Sequence, residues 1–386
     1  MKLPLLIQVL IAVFLGILLG DWLPLGVVRG FVTVNLLFTQ YLGFCIPLII
    51  LGLVTVGIAE LGERSGKLLL LTVVLAYGST LFSGFFTYGT CAAAFPKLLA
   101  NVNFTTFATA DALKPYFLIE IQPVTGVLTA LLLAFVLGIG IASHKAKTLL
   151  TAAEEFRAIT ESLIAKTVVP VLPIFIFGLF LQTTAEGNTM KVFSVFAKVV
   201  AVVIVLHLML ILLQYLLAGI VARKNPLKLL VTMLPAYATA LGTSSSAATI
   251  PVTLAQAYQT GVRREIADFC VPLCATIHLA GSMMKITAFA LAVMIMTDQP
   301  IQFAQFAGFI MLLGVTMVAA PGVPGGAIMA ATAVLQSVLG FDANAVALMI
   351  SLYVTTDPFG TAGNVVGDGA ITTIVDRLAG RESAPE

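Results

Sequence analysis

Long apolar segments separated by short polar ones make up the first 225 residues. The clearest polar breaks are "ELGERSGK" at 60–67 and "SHKAKTLLTAAEEFRAITES" at 143–162. A helix needs about 20 predominantly apolar residues to cross a bilayer. The pattern therefore predicts membrane-spanning helices near 4–28, 31–59, 68–95, 122–143, 163–184 and 192–222, with 143–162 as an exposed amphipathic connection.

The pattern changes after residue 225, where four apolar segments are each interrupted by small or polar residues. The interruptions read "GTSSSAATIP", "CATIHLAG", "APGVPGGA" and "TTDPFGTAGNVVGD". Paired segments with such interruptions indicate a binding site in membrane transporters. The order predicts an internal duplication: an interrupted hairpin (226–258), a broken helix (266–297), a second hairpin (302–340) and a second broken helix (343–378).

The arms of the two predicted hairpins are too short to cross a membrane. An arm of about 14–16 residues falls short of the roughly 30 Å of hydrocarbon. Each hairpin is therefore expected to enter and leave on one face, with its tip near the midplane. Non-helical backbone is tolerated at that depth only where it is buried or lines a wet cavity.

Composition supports a membrane protein and excludes other classes. Of 386 residues, 60% are hydrophobic and only 10% are charged, whereas soluble proteins carry about 25% charged residues. The net charge of +2 gives no basis for binding nucleic acid. The four cysteines lack the spacing of a disulfide or metal framework and are expected to be buried apolar residues.

The distribution of lysine and arginine predicts the orientation of the chain. If the segments alternate, most of these residues fall on one side, which should be cytoplasmic. Both termini are then cytoplasmic. The apolar N-terminal segment is expected to be the first retained helix rather than a cleaved signal peptide, because no small-residue cleavage site follows it.

Two acidic residues in the last segment are the strongest candidates for function. A carboxylate inside a membrane segment is costly and by default functional. Asp357 could accept a hydrogen bond from an ammonium group, and Asp368 could hold a hard cation together with backbone carbonyls. The alternative is that they pair with Lys285 or His278 inside the bundle.

Lys285 and His278 each leave two interpretations open. Lys285 has no acidic residue nearby in its own segment; its ammonium either reaches the lipid headgroups or acts as a fixed charge that replaces a cation. His278 lies in the interrupted stretch, where it is either a neutral histidine hydrogen-bonded in the core or a proton carrier.

The serine patch "TSSSAATIP" at 243–251 also has two interpretations. A helix that begins after it would offer backbone N–H groups and a positive dipole end to a carboxylate. Small residues also allow helices to pack closely in membranes. The presence of three other interruptions favours a binding site.

Four motifs resemble a known family in order and spacing. "TALGTSSSAATIPVT", "VPLCATIHLAG", "GVPGGAI" and "FGTAGNVVGD" are similar to motifs of the dicarboxylate/amino-acid:cation symporter family. The resemblance implies an all-α fold of eight transmembrane helices plus two re-entrant hairpins, a homotrimer and an elevator mechanism. Residues 1–225 would be mainly scaffold, with the third and sixth helices joining the transport core of 226–386.

The same resemblance implies the residues of the binding sites. The substrate's ammonium would meet Asp357, its carboxylate would meet Asn364, and Ser282 would face its side chain. The full substrate set is Ser245, Ser246, Ser282, Val323, Asp357, Gly360, Thr361 and Asn364. Sodium ions would bind at Asp368, with carbonyls of Cys274 and Asn364, and near Thr276, with carbonyls of Met317, Val318 and Ala320.

Departures from the family pattern bear on the substrate and on the ions. Members for acidic substrates carry an arginine where this chain has Gly360, so a small neutral amino acid fits better than a dicarboxylate. The motif "HLAG" at 278–281 replaces "NMDG", which predicts that an additional sodium site is lost although Tyr77 and Thr80 remain.

The sequence thus predicts a sodium symporter, not an enzyme, for serine, threonine or alanine in a bacterial inner membrane. One or two sodium ions, the lipid bilayer and two further copies of the chain are its expected partners. A C4-dicarboxylate or acidic amino acid as substrate, coupling to protons and an ion channel remain alternatives.

Overall fold

All of the secondary structure described is helical. The computed structural model describes residues 5–63, 67–99, 113–168, 170–186, 189–318, 320 and 325–380, and these contain no strand. The helices are α1 (Leu5–Gly20), α2 (Leu25–Glu63), α3 (Lys67–Leu98), α4 (Val127–His144), α5 (Lys147–Leu163), α6 (Leu172–Ala185), α7 (Thr189–Ala222), α8 (Pro226–Thr243), α9 (Ser246–Gln259), α10 (Arg264–Ile277), α11 (Ala280–Met296), α12 (Phe303–Met317), α13 (Gly326–Leu339) and α14 (Ala343–Leu378).

Several of these helices have the length and apolarity of membrane spans. In the described part of the chain, four stretches meet both criteria, and a fifth does if the bent pair Lys147–Val168 and Leu172–Ala185 counts as one span. The pair is bent by 45° after a π-helical turn at Ile164–Val168. The four single spans are Leu25–Ala59, Lys67–Leu98, Val195–Ala222 and Arg264–Met296.

The first predicted boundary is wrong. The sequence places a break at 29–30, but α1 ends at Gly20, and α2 begins after a turn that includes Pro24. Arg29 lies inside α2, where its side chain has a hydrogen-bond acceptor and an aromatic ring as partners. Its Nε donates to the carbonyl of Lys114 at 2.8 Å, and its guanidinium lies 4.4 Å from the ring centroid of Tyr116.

The first interrupted segment forms two helices joined at the serine patch. Ser244 ends α8 in the left-handed conformation, with φ of 51°. Ser245 is extended, and its side chain accepts from the N–H of Ala248, which caps α9. Short hydroxyl side chains favour helix caps over helix interiors. The serines therefore set the position of the break.

The second and third interruptions are also present. His278 is extended and separates α10 from α11. Gly325 has a φ of +75°, which glycine adopts without strain, and it immediately precedes α13. Asp342 then caps α14 by accepting from the N–H of Ala345.

The fourth interruption is absent, which corrects the prediction of a broken last helix. α14 runs without a break through "TTDPFGTAGNVVGD". Pro358 and several glycines lower the intrinsic helix propensity there. α14 nevertheless packs against α7, α8, α10 and α11, and such tertiary packing overrides local propensity.

The helices pack in two groups. α2 contacts α4, α5 and α6, and α1 contacts α6, while α3 and α7 pack against the later helices. α11 lies at the centre of the later group, and each residue from Ala280 to Met294 is buried. The polar residues of α11 therefore lie in the interior, where each requires a partner.

Candidate functional site

Asn364 on α14 connects to the start of α11 through three hydrogen bonds. Its Oδ1 accepts from the backbone N–H of Gly281 at 2.8 Å and of Ser282 at 3.2 Å. Its Nδ2 donates to Ser282 Oγ at 3.1 Å. The break at 278–279 leaves these N–H groups without partners inside the helix. Two residues predicted to bind substrate are therefore in direct contact.

Tyr353 extends this network, and sequence reasoning missed it. Its hydroxyl lies 2.9 Å from Ser282 Oγ, and the residue is only 1% exposed. Tyr353 is four residues before Asp357, so the two share one face of a helix. That spacing was the available signal, but the expected break in the helix concealed it.

Lys285 lies next to Tyr353 and pairs with Asp357. The ammonium is 3.7 Å from the ring centroid of Tyr353 and 3.6 Å from Asp357 Oδ1. It donates to the carbonyl of Thr356 at 3.1 Å. The side chain of Lys285 is fully buried. Of the two interpretations of Lys285, the structure excludes contact with lipid headgroups.

Gly360 provides the space that Lys285 occupies. A Cβ atom at position 360 would lie 2.2 Å from Lys285 Cε and 2.6 Å from Nζ. Any larger residue would displace the ammonium. The space beside position 360, where family members for acidic substrates carry an arginine, contains the ammonium of Lys285 from α11.

Asp357 also connects the site to the second hairpin. Its Oδ2 accepts from the backbone N–H of Gly325 at 2.7 Å. Gly325 immediately precedes the arm α13, so this carboxylate contacts the start of that arm and Lys285 together. Val323, predicted to offer its carbonyl to substrate, lies outside the described residues.

The remaining predicted substrate residues are near the same helices. Ser246 is buried at the start of α9, and α9 packs against α14. Ser245 caps α9, and Thr243 Oγ1 donates to the carbonyl of Ser245. Thr361 is buried on α14 beside Gly360.

A second buried pair joins α14 to the same break in α10–α11. His278 Nδ1 lies 2.9 Å from Asp368 Oδ1, and both side chains are nearly fully buried. His278 Nε2 lies 3.0 Å from Ser79 Oγ, which accepts from Gln214 Nε2 at 3.1 Å. The imidazole is therefore hydrogen-bonded on both nitrogens. Its contact with Asp368 is the pairing that the sequence left open as the alternative to a cation site.

The residues predicted to bind cations have oxygen atoms nearby, but several already have partners. The carbonyl of Cys274 accepts from the N–H of His278 at 2.8 Å. Thr276 is exposed, and its hydroxyl donates to the carbonyl of Leu273. Val318 packs against a cluster that contains Cys274. The other predicted ligands, Met317 and Ala320, lie at and just after the end of α12.

Two polar residues near α14 were not identified from the sequence. His207 Nε2 lies 3.0 Å from the hydroxyl of Tyr237, while its Nδ1 is buried without a hydrogen-bond partner. A Cβ atom at Gly363 would lie 3.0 Å from His207 Cε1. The sequence shows His207 only as a polar residue within an apolar segment.

Comparison with known proteins gives a family match and several similar transporters. The model of a family described as the sodium:dicarboxylate symporter family matches residues 5–378. Excitatory amino acid transporter 3 of Oryctolagus cuniculus is 34% identical over 164 residues, which are 42% of this chain and 31% of that protein. Neutral amino acid transporter B(0) of Homo sapiens is 28% identical over 169 residues, again 42% of this chain and 31% of the relative.

A longer match is found with excitatory amino acid transporter 3 of Mus musculus. It is 30% identical over 256 residues, or 65% of this chain and 48% of that protein. The chain therefore matches less than half of the length of each of these relatives.

Proposed function

The chain belongs to the sodium:dicarboxylate symporter family, whose members are transporters rather than enzymes, and from this premise we propose that it carries a small neutral amino acid together with sodium. Serine, threonine and alanine are the candidate substrates. One observation carries the proposal: the buried polar network that runs from Asn364 through Ser282, Tyr353 and Lys285 to Asp357.

The network supplies groups of the kinds that a zwitterion requires. Asp357 is an acceptor for an ammonium group, and Asn364 Nδ2, Ser282 Oγ and the Lys285 ammonium are donors for a carboxylate. All four residues are at most 5% exposed. We propose that Ser246, Thr361 and the carbonyl of Val323 complete the substrate site and that Ser245 and Gly360 border it.

Sodium is proposed as the co-substrate at Asp368. Sodium is a hard cation that takes oxygen ligands, and one carboxylate with backbone carbonyls is a suitable donor set. His278 holds Asp368 Oδ1, which leaves Oδ2 to face the ion together with carbonyls of Cys274 and Asn364. A second ion is proposed near Thr276 and the carbonyls of Met317, Val318 and Ala320.

The third sodium site is proposed to be absent. The imidazole of His278 fills the space between Ser79 and Asp368. Thr80 Oγ1 accepts from the N–H of Leu279 at 3.3 Å and donates to the carbonyl of Ala76. The imidazole of His278 and the hydroxyl of Thr80 therefore both have hydrogen-bond partners within the protein.

We propose the architecture that the family resemblance implies. Eight transmembrane helices and two re-entrant hairpins, α8–α9 and α12–α13, would form a homotrimer in a bacterial inner membrane, with both termini cytoplasmic. The packing of α3 and α7 on the later helices supports a transport core that includes them. This core would slide against the scaffold as an elevator.

The second candidate substrate is an acidic amino acid or a C4-dicarboxylate. It is supported by the description of the family as sodium:dicarboxylate symporters and by the similarity to excitatory amino acid transporters. The observation in its favour is the Lys285 ammonium beside Gly360, because that ammonium is available to a second carboxylate. Coupling to protons instead of sodium is the corresponding alternative for the cation.

A thermal-shift screen of the purified chain tests the proposal. The probes are the twenty amino acids, succinate and malate, each with sodium and with potassium. A ligand that binds only the folded state raises stability. We therefore expect serine, threonine or alanine to raise the unfolding temperature in the presence of sodium but not in the presence of potassium. Stabilisation by none of the probes would reject the function, and stabilisation by succinate alone would select the second candidate.

A further inference from the structure

Lys285 has more hydrogen-bonding capacity than its partners use. An ammonium group has three donors. One donates to the carbonyl of Thr356 at 3.1 Å, and the ring of Tyr353 covers another side of the group. The separation of 3.6 Å from Asp357 Oδ1 exceeds the usual range of a hydrogen bond. Lys285 and Asp357 therefore form an ion pair without a direct hydrogen bond of normal length.

Lys285 and Asp357 are also next to the groups that can receive a carboxylate. The ring of Tyr353 lies beside the ammonium, and the hydroxyl of Tyr353 contacts Ser282 Oγ, which accepts from Asn364. Asp357 contacts the start of α13 through Gly325. One end of the network thus offers donors, and the other end offers a carboxylate next to the start of α13.

Charge pairing limits what can bind here. A buried ion pair that loses one partner leaves an uncompensated charge, which is strongly unfavourable. A lone amine would displace Lys285 from Asp357 and leave the lysine unpaired. A lone carboxylate would bind Lys285 and leave Asp357 unpaired. A zwitterion supplies both charges and leaves neither residue unpaired.

We propose that Lys285 binds the substrate's carboxylate and changes partners during transport. In the empty protein its ammonium pairs with Asp357. In the loaded protein it pairs with the carboxylate of an α-amino acid, while the amino acid's ammonium takes its place on Asp357. This inference rests on the proposed function and adds the exchange of partners by which Lys285 selects zwitterions.

The exchange has a consequence for the empty carrier. With Lys285 present, the substrate-free site holds one positive and one negative side chain and is neutral. Without the lysine, the empty site holds the buried charge of Asp357 alone. The loaded carrier would also hold one uncompensated charge, that of the substrate's carboxylate, but this carboxylate keeps the donors Asn364 and Ser282. Loss of the lysine is therefore expected to impede the return of the empty carrier more than the movement of the loaded one.

The variant Lys285→Met in proteoliposomes tests this prediction with alanine as the probe. We expect apparent alanine affinity to fall by about 10- to 100-fold, the range for a lost charged hydrogen bond. At saturating alanine, net sodium-driven uptake should fall at least about tenfold more than alanine–alanine exchange. A parallel fall of both modes, or unchanged affinity, would overturn the proposal.

Lys224→Met is the matched control, because Lys224 also donates its Nζ to backbone carbonyls, those of Thr260 and Gly261. It should alter neither affinity nor the ratio of net uptake to exchange. If Lys285→Met does not fold, the double variant Lys285→Met/Asp357→Asn removes both charges together and should fold. Binding of alanine by that variant at wild-type affinity would equally overturn the proposal.

Analogues of alanine test the requirement for both charges in the wild-type chain. Propionate lacks the amine and ethylamine lacks the carboxylate. Each should compete with alanine at least about 100-fold more weakly than serine does. Strong competition by either analogue contradicts the exchange of partners. If the wild-type chain transports none of alanine, serine and threonine, the proposed function itself fails, which separates the two results.

Discussion

At the scale of single residues, each of the two buried carboxylates of α14 faces a basic side chain from the α10–α11 segment. Asp357 faces Lys285, and Asp368 faces His278. Such pairing explains how charges are accommodated in an interior that consists mainly of apolar side chains. It also places the two candidate sites on one helix, three turns apart.

Gly360→Ala tests the position of Lys285. The added Cβ would lie 2.2 Å from Lys285 Cε, so the lysine side chain must leave its position between Tyr353 and Asp357. We expect alanine affinity to fall by about tenfold, measured by thermal shift at graded alanine concentrations. Gly308→Ala is the control, because nothing lies within 4 Å of its added Cβ. Equal affinities in the two variants would contradict the described position of the lysine.

Asp368→Asn tests the cation site. The amide keeps the shape of the side chain but removes the charge that a hard cation requires. We expect alanine to stabilise the variant equally in sodium and in potassium. Asp376→Asn is the control, since Asp376 pairs with Arg263 at 2.7 Å instead, and it should retain sodium dependence. Sodium dependence that survives in the Asp368 variant removes this residue from the cation site.

At the scale of helices, the sequence predicted the breaks that depend on local chemistry. Ser244 and Ser245 end and cap helices by their own preferences. The continuity of α14 was not predictable from its composition, because its neighbours stabilise a helix that Pro358 and its glycines weaken. The residue types at the site were also recognisable from the sequence. Their pairing was not, because it depends on how α11 packs against α14.

Cysteine labelling tests whether α8 and α9 form a re-entrant hairpin. α9 has 14 residues and is therefore about 21 Å long, less than the roughly 30 Å of hydrocarbon. We expect a membrane-impermeant thiol reagent to reach Lys228→Cys from the cytoplasmic side and not to reach Thr243→Cys from outside. The native cysteines are buried and give a low background. Rapid labelling of position 243 from outside would show a pair of full spans.

At the scale of the whole molecule, the proposed coupling of sodium and substrate depends on α14. The proposed sodium at Asp368 and the proposed substrate at Asp357 would bind to the same helix, α14, which packs against both halves of the broken segment α10–α11. Each ligand would then favour the arrangement that the other requires, which is the thermodynamic basis of coupled binding. A channel lined by the same residues would have no need for such linkage.

Uptake of radiolabelled alanine by proteoliposomes under an imposed sodium gradient tests the central proposal most directly. The account predicts saturable accumulation that stops when sodium is equal on both sides, with sodium entering in a fixed ratio to alanine. Accumulation that is indifferent to the sodium gradient, or sodium flux that proceeds without any amino acid, would contradict it.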